Sequence, residues 1–188
     1  VVASSAEKSV GLAFGQKLKE QLEAQGRYRV IMTRADDSFV PLGDRVRIAR
    51  SVDAHLFISI HADSLTQAQE VRGATIYTGS ERASDAEAAR LAAKENQADA
   101  VAGLDASEDV QDVAGILMDL AKRETRGFSA MFARNLVEKL GGSVKMHKVP
   151  LRSAGFRVLT APDVPSVLIE LGYMSSPKDA ELLNSPEW

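Results

Sequence analysis

A chain of 188 residues with 45% hydrophobic side chains can bury one sizeable core, which excludes disorder throughout. Its 23 Lys and Arg stand against 26 Asp and Glu with no long basic run, which excludes an extended nucleic-acid surface as the main feature. With no cysteine there is no disulfide, thiolate metal site or cysteine nucleophile, and no apolar run reaches membrane-spanning length.

Val1-Val2 reads as the tail of an earlier strand, and no signal peptide is recognisable, so the natural chain is expected to begin upstream. Ser4-Ser5-Ala6-Glu7 fits a capping box, and Val10, Phe14, Leu18 and Leu22 mark one face of a helix that Gly26 ends. Tyr28–Thr33 reads as a strand, Asp36-Asp37-Ser38 as a turn, and Pro41 as the start of a helix to about Ser51. Leu56–Ile60 is a nearly continuous apolar run, as in a strand buried on both faces, and Arg72–Thr78 is a further strand. Ser84-Asp85-Ala86-Glu87 opens an Ala-rich helix through about Ala100, which Gly103-Leu104-Asp105-Ala106 interrupts. Ser107 caps a helix with the stripe Val110, Val113, Leu117 and Leu120, flanked by Ile116 and Met118. Another stripe, Phe128, Phe132, Leu136 and Leu140, stops at Gly141-Gly142. Ser143–Ser153 reads as loop, Phe156–Thr160 and Pro165–Leu171 as strands, and Ser176-Pro177 as the start of a short helix ending near Asn184. Strands alternating with helices predict a single α/β domain, a mostly parallel twisted sheet with helices on both faces.

No glycine-rich nucleotide loop and no Gly-x-Ser-x-Gly element occurs, so nucleotide binding and serine hydrolysis have no motif behind them. Polar chemistry collects instead at two strand ends. Leu56–Ile60 runs into His61-Ala62-Asp63-Ser64, and Pro165–Leu171 delivers Glu170 near its carboxyl end. Ligands gather beyond the carboxyl ends of strands in open α/β sheets, so His61 and Glu170 are expected to be neighbours. A carboxylate inside an apolar strand must be paired, metal-bound or shifted in pKa. Glu7 joins them as either an ordinary helix cap or a ligand, since imidazole and carboxylate are the first ligands of catalytic zinc.

Ala54–Ser64, Val164–Ser176 and the Glu7-Lys8-Ser9-Val10 helix start resemble the zinc-dependent N-acetylmuramoyl-L-alanine amidases of the amidase-3 type. The resemblance covers nearly the whole chain and rests most on Ser-Ile-His-Ala-Asp and Ile-Glu-Leu-Gly-Tyr. It implies Zn2+ held by Glu7 and His61, with Glu170 as the catalytic carboxylate. In the family a further His ligand comes from a Gly-His-Gly-Gly segment, which is absent here. His55 precedes His61 by six residues, about 20 Å along an extended strand, so it is no replacement. His147 lies in the expected loop, and its neighbours do not match the family segment. The missing ligand and first strand are therefore expected upstream of Val1.

The stretch from Ser84 to Thr125 resembles the helical regulatory insert of the amidases of daughter-cell separation, whose inhibitory helix puts a glutamate on the zinc. Lys94-Glu95-Asn96-Gln97-Ala98-Asp99 is the matching segment and Glu95 the candidate inhibitory ligand; unaided, Glu95 reads as a solvated helix charge. The resemblance further implies a peptidoglycan substrate, a periplasmic location, and a LytM-type activator. The candidate activator surface is Val110, Val113, Ile116, Leu117 and Leu120. Two other readings compete: a zinc carboxypeptidase-like peptidase, which would need Arg152 as a clamp for a free carboxylate, and a metal-free peptidoglycan-binding pseudoenzyme.

Overall fold

The apolar runs Phe57–His61 (β1) and Ser166–Glu170 (β4) lie side by side in parallel, with His61 directly opposite Glu170. In this computed structural model, which describes residues 5–64, 70–104 and 116–188, they are half of a four-stranded sheet. Ala74–Gly79 (β2) pairs antiparallel with β4, Thr75 facing Glu170, and Met146–Ala154 (β3) runs parallel to β2 at the edge. The order is β1-β4-β2-β3, with two parallel pairs and one antiparallel, so the mostly parallel α/β expectation holds.

β4 is buried along its whole length, which is why its sequence is continuously apolar up to Glu170. On one face, Leu42 and Ala49 of α2 (Leu42–Ser51) pack with Ala88, Leu91 and Ala92 of α3 (Ala86–Glu95), over Phe57, Tyr77 and Leu168. On the other face, α1 (Ser5–Glu23) brings Val10 and Phe14, and α5 (Ile116–Leu140) brings Phe132, Ala133 and Leu136. They cover Ile58, Ile76, Val167 and Ile169. A short α4 (Ala98–Val101) and a closing α6 (Pro177–Leu183) complete the helices among the described residues.

Several expectations need correcting. Tyr28–Thr33 is extended but has no strand partner among the described residues. Its Val30 is satisfied by side chains of α1 instead, the N–H donating to Glu23 Oε1 and the carbonyl accepting from Lys19 Nζ. Met146–Ala154, expected as loop, is the edge strand. Pro150 is tolerated there because it falls in a bulge, between the Ala74–Met146 and Ile76–Leu151 pairs. Phe156–Thr160 is a single 3-10 turn at Arg157–Leu159, whose Val158 and Leu159 are spent on the core and not on a ladder. The helix expected to reach Ala100 breaks at Asn96, whose amide donates to Gly155 O and accepts from Arg157 N. Its N-cap is Asp85, which accepts from the N–H groups of Glu87 and Ala88, while Ser84 only braces Asp85. α5 runs unbroken from Ile116 to Leu140, so Leu120 and the Phe128–Leu140 stripe belong to one helix. The Ser107 cap, Val110 and Val113 lie outside the described residues.

Gly73, just before β2, has φ +90°, and a Cβ there would lie 2.6 Å from the Met146 carbonyl carbon. Neither the backbone conformation nor the backbone across from it can accept a side chain cheaply. Gly73→Ala is therefore expected to cost about 2 kcal/mol or more, read as a lower urea midpoint at unchanged slope. A midpoint equal to the parent's would mean that this crossing relaxes freely.

Candidate metal centre

The last residue of β1, the first turn of α1 and the end of α3 converge on one spot. The ligand atoms of Glu7, His61 and Glu95 all lie within 4.8 Å of one another. His61 Nδ1 stands 3.1 Å from Glu95 Oε2, and its other ring nitrogen is 3.0 Å from Ser59 Oγ. Ser59 and His61 share a face because strand side chains alternate, so the hydroxyl is well placed to hold the ring and turn Nδ1 towards the two glutamates. Ligands at about 2.1 Å around a tetrahedral divalent ion sit roughly 3.4 Å apart, so a contraction of about 1 Å would seat one here.

Electrostatics point the same way. Glu7 is 8% exposed and its pKa is pushed up to about 7. Burial is the main cause, with Asp63 and Glu95 adding repulsion that His61 and Lys94 only partly offset. Burial alone would lower His61, but the neighbouring Glu95 and Glu7 carboxylates raise it on balance. Glu95 moves oppositely: burial raises it, while His61, Lys94 and Arg45 hold it below the ordinary carboxylate value. A glutamate protonating near neutrality beside an ionised one is a site short of positive charge, and a divalent cation would supply it.

Glu170 is 0% exposed, and its Oε1 accepts from the backbone N–H of Asp63 at 2.7 Å. Burial drives its pKa well above the usual range, with Asp63, Glu7 and Glu95 adding to the push. Its Oε2 is buried without a partner among the described residues, and no arginine there pairs with it. Such a carboxyl is equipped to take up and return a proton. Asp63, also 0% exposed, receives Ser64 N–H and Lys94 Nζ on Oδ1, and its Oδ2 is a second buried orphan. The turn beyond β4 is pinned by Asp179, which accepts from Gly73 N–H at 2.7 Å and Tyr173 N–H at 3.1 Å and pairs with Arg72.

Of the residues singled out in the sequence, Glu7, His61, Glu95 and Glu170 are thus brought together. Arg152 is not available as a carboxylate clamp: it is buried and paired with Glu87 at 2.9 Å and Asp85 at 3.6 Å. His147 sits on β3, separated from β1 by two intervening strands, and His55 is exposed before β1. Ile116 and Leu117 open α5, and Leu120 is 60% exposed. Sequence reasoning passed over Lys94 and Ser59, and used Asp63 only as a neighbour of His61. The available signal was position, one residue before Glu95 and two on either side of His61.

The chain matches the N-acetylmuramoyl-L-alanine amidase family model over residues 2–188. It is 39% identical over 180 residues to the N-acetylmuramoyl-L-alanine amidase AmiC of Neisseria meningitidis, covering 95% of this chain and 42% of that protein. It is 37% identical over 182 residues to AmiA of Escherichia coli, covering 96% and 62%. The chain therefore spans 42% and 62% of the length of these two curated relatives. Among solved structures, N-acetylmuramoyl-L-alanine amidase AmiC2 of Nostoc punctiforme superposes with a TM-score of 0.60 at 26% identity, covering 96% of this chain and 74% of that one.

Proposed function

Because the chain belongs to the N-acetylmuramoyl-L-alanine amidase family, we propose that it hydrolyses the amide between N-acetylmuramic acid and L-alanine in peptidoglycan, using zinc held by Glu7 and His61. The observation that carries this reading is the convergence of Glu7, His61 and Glu95 next to the buried Glu170, whose Oε2 has no partner among the described residues. Zinc bound there would acidify the attacking water and polarise the amide carbonyl. Glu170, at the end of β4, takes the water proton on its unpartnered Oε2 and passes it to the departing nitrogen. The backbone N–H of Asp63 holds the other oxygen of Glu170 and fixes its aim. Ser59 orients the His61 ring. A third protein ligand would complete the metal set. Peptidoglycan lies outside the cytoplasmic membrane, so the enzyme would act after export, in the periplasm.

The stretch 84–125 is the regulatory insert in this reading. Glu95, at the C-terminal end of α3, fills the position beside Glu7 and His61 that substrate and water need, so the docked helix is the resting state. An activator of the LytM type would bind the helix that carries the exposed Leu120 and draw α3 away. Docking favoured by only a few kcal/mol keeps nearly all molecules closed, so a partner with differential affinity of that size can open them.

Three outcomes are expected. Glu170→Gln keeps its shape and its zinc, while release of stem peptides from purified peptidoglycan falls by about two orders of magnitude or more; near-normal release would remove Glu170 from the proton relay. Ser59→Ala weakens zinc binding about 10- to 100-fold in competition with a chelator, since the ring loses its second partner. Unchanged affinity would leave the ring oriented by something else. Glu95→Ala digests peptidoglycan without any activator, and a zinc-loaded Glu95→Ala protein as inactive as the parent would end the gating role of this residue.

A further inference from the structure

Two consecutive residues at the end of α3 enter the site, and they carry opposite charges. Glu95 Oε2 lies 3.1 Å from His61 Nδ1, and Lys94 Nζ is ion-paired with Asp63 Oδ1 and lies 3.3 Å from Ser64 O. Asp63 is fully buried, whereas the Lys94 side chain remains about a third exposed. Among the ion pairs of the described residues, the cation that neutralises this buried carboxylate thus comes from a helix end. The peptide unit of Asp63 also donates to Glu170 Oε1 at 2.7 Å. A primary ammonium therefore sits on the residue that positions Glu170, and a buried acceptor, Asp63 Oδ2, is still unused beside it.

Hydrolysis of an amide gives one carboxylate and one amine, which is a primary ammonium at neutral pH. The C–N bond breaks and a C–O bond to the water oxygen forms; one water proton, carried by Glu170, makes the departing nitrogen a neutral amine, and the proton of the new carboxylic acid then passes to it, leaving carboxylate and ammonium. Lys94 and Glu95 present the same two charges to the site, one on Asp63 and the other on His61. We infer that Asp63 is the acceptor subsite for the α-amine of L-alanine as it leaves the muramic acid carbonyl, and that Lys94 occupies this subsite as a stand-in while α3 is docked. The inference rests on the amidase reading above. Asp63 forms no bond to substrate; it accepts hydrogen bonds from the nitrogen as positive charge develops there, where a charge-assisted contact in a buried site is strongest. Docked α3 thus resembles the products, with a carboxylate at the metal centre and an ammonium at Asp63, which explains why a lysine precedes the gating glutamate.

The test uses the zinc-loaded chain carrying Lys94→Gln and Glu95→Ala, which frees both positions, titrated calorimetrically with a synthetic peptide beginning in L-alanine. The comparison ligand is the same peptide acetylated at its N-terminus. The free-amine peptide is expected to bind about tenfold tighter or more than the acetylated one, the size of a charged hydrogen bond to a buried group. Adding Asp63→Asn should bring the two affinities within about twofold of each other. Equal affinities in the Lys94→Gln/Glu95→Ala protein, or a preference that survives Asp63→Asn, would overturn the inference. If Asp63→Asn does not fold or loses zinc, the comparison of the two peptides on the Lys94→Gln/Glu95→Ala protein decides alone. Digestion of purified peptidoglycan by that protein tests the amidase reading separately. Normal digestion without any preference for the free amine sinks only the role of Asp63, and no digestion by zinc-loaded protein sinks the reading beneath it.

Discussion

The parallel register of β1 and β4, with His61 opposite Glu170, is the constraint on which the rest of the site depends. A slip of β1 by one residue would turn His61 to the other face, away from Glu170 and into the apolar layer of α1 and α5. The register is held by burial: β4 packs both faces, and Phe57, Leu168 and Tyr77 on one side oppose Ile58, Val167 and Ile169 on the other. It is closed at the end by Leu171 N–H donating to His61 O and Met174 N–H donating to Asp63 O. Asp179 then ties the turn after β4 to the start of β2. His61 and Glu170 are thus carried on the sheet, while α1 contributes Glu7 and α3 contributes Lys94 and Glu95 from outside it.

Four carboxylates, those of Glu7, Asp63, Glu95 and Glu170, share this small volume with Lys94 and His61. Taking them all out of water ionised would cost more than the fold could supply, and the site responds in three ways. Glu170 and Glu7 hold protons to higher pH, Glu95 pairs with His61, and Asp63 takes a lysine. Each response is also a preparation for chemistry: a proton carrier, a place for a divalent cation, and a place for an ammonium. The same desolvation that makes the cluster costly makes it selective for positive charge.

Docking of α3 fits that account. The helix is anchored at its start by Asp85 and by Arg152 against Glu87, and at its end by Glu95 and Lys94. Between these ends its Ala88, Leu91 and Ala92 are buried in the core with Phe57, Tyr77 and Leu168. The polar contacts at its two ends are the ones that substrate, metal or water would replace in the proposed opening.

By itself the sequence determined the α/β class and the two buried strands, because Leu56–Ile60 and Pro165–Leu171 are apolar without interruption only if both faces are covered. It also determined that His61 and Glu170 stand at strand ends, and its resemblance to known amidases singled out Glu7 and Glu95. It could not reveal the edge strand Met146–Ala154, whose proline and charged residues are permitted by a bulge and an exposed edge. Nor could it deny Phe156–Thr160 as a strand, since apolar residues read alike whether they pack or pair. Only the tertiary structure decided that Glu7, His61 and Glu95 meet, that Arg152 is already paired, and that Lys94 reaches Asp63. The reason is physical: local pattern encodes which face of an element is buried, whereas the partner of a buried charge is chosen by elements far apart in the chain.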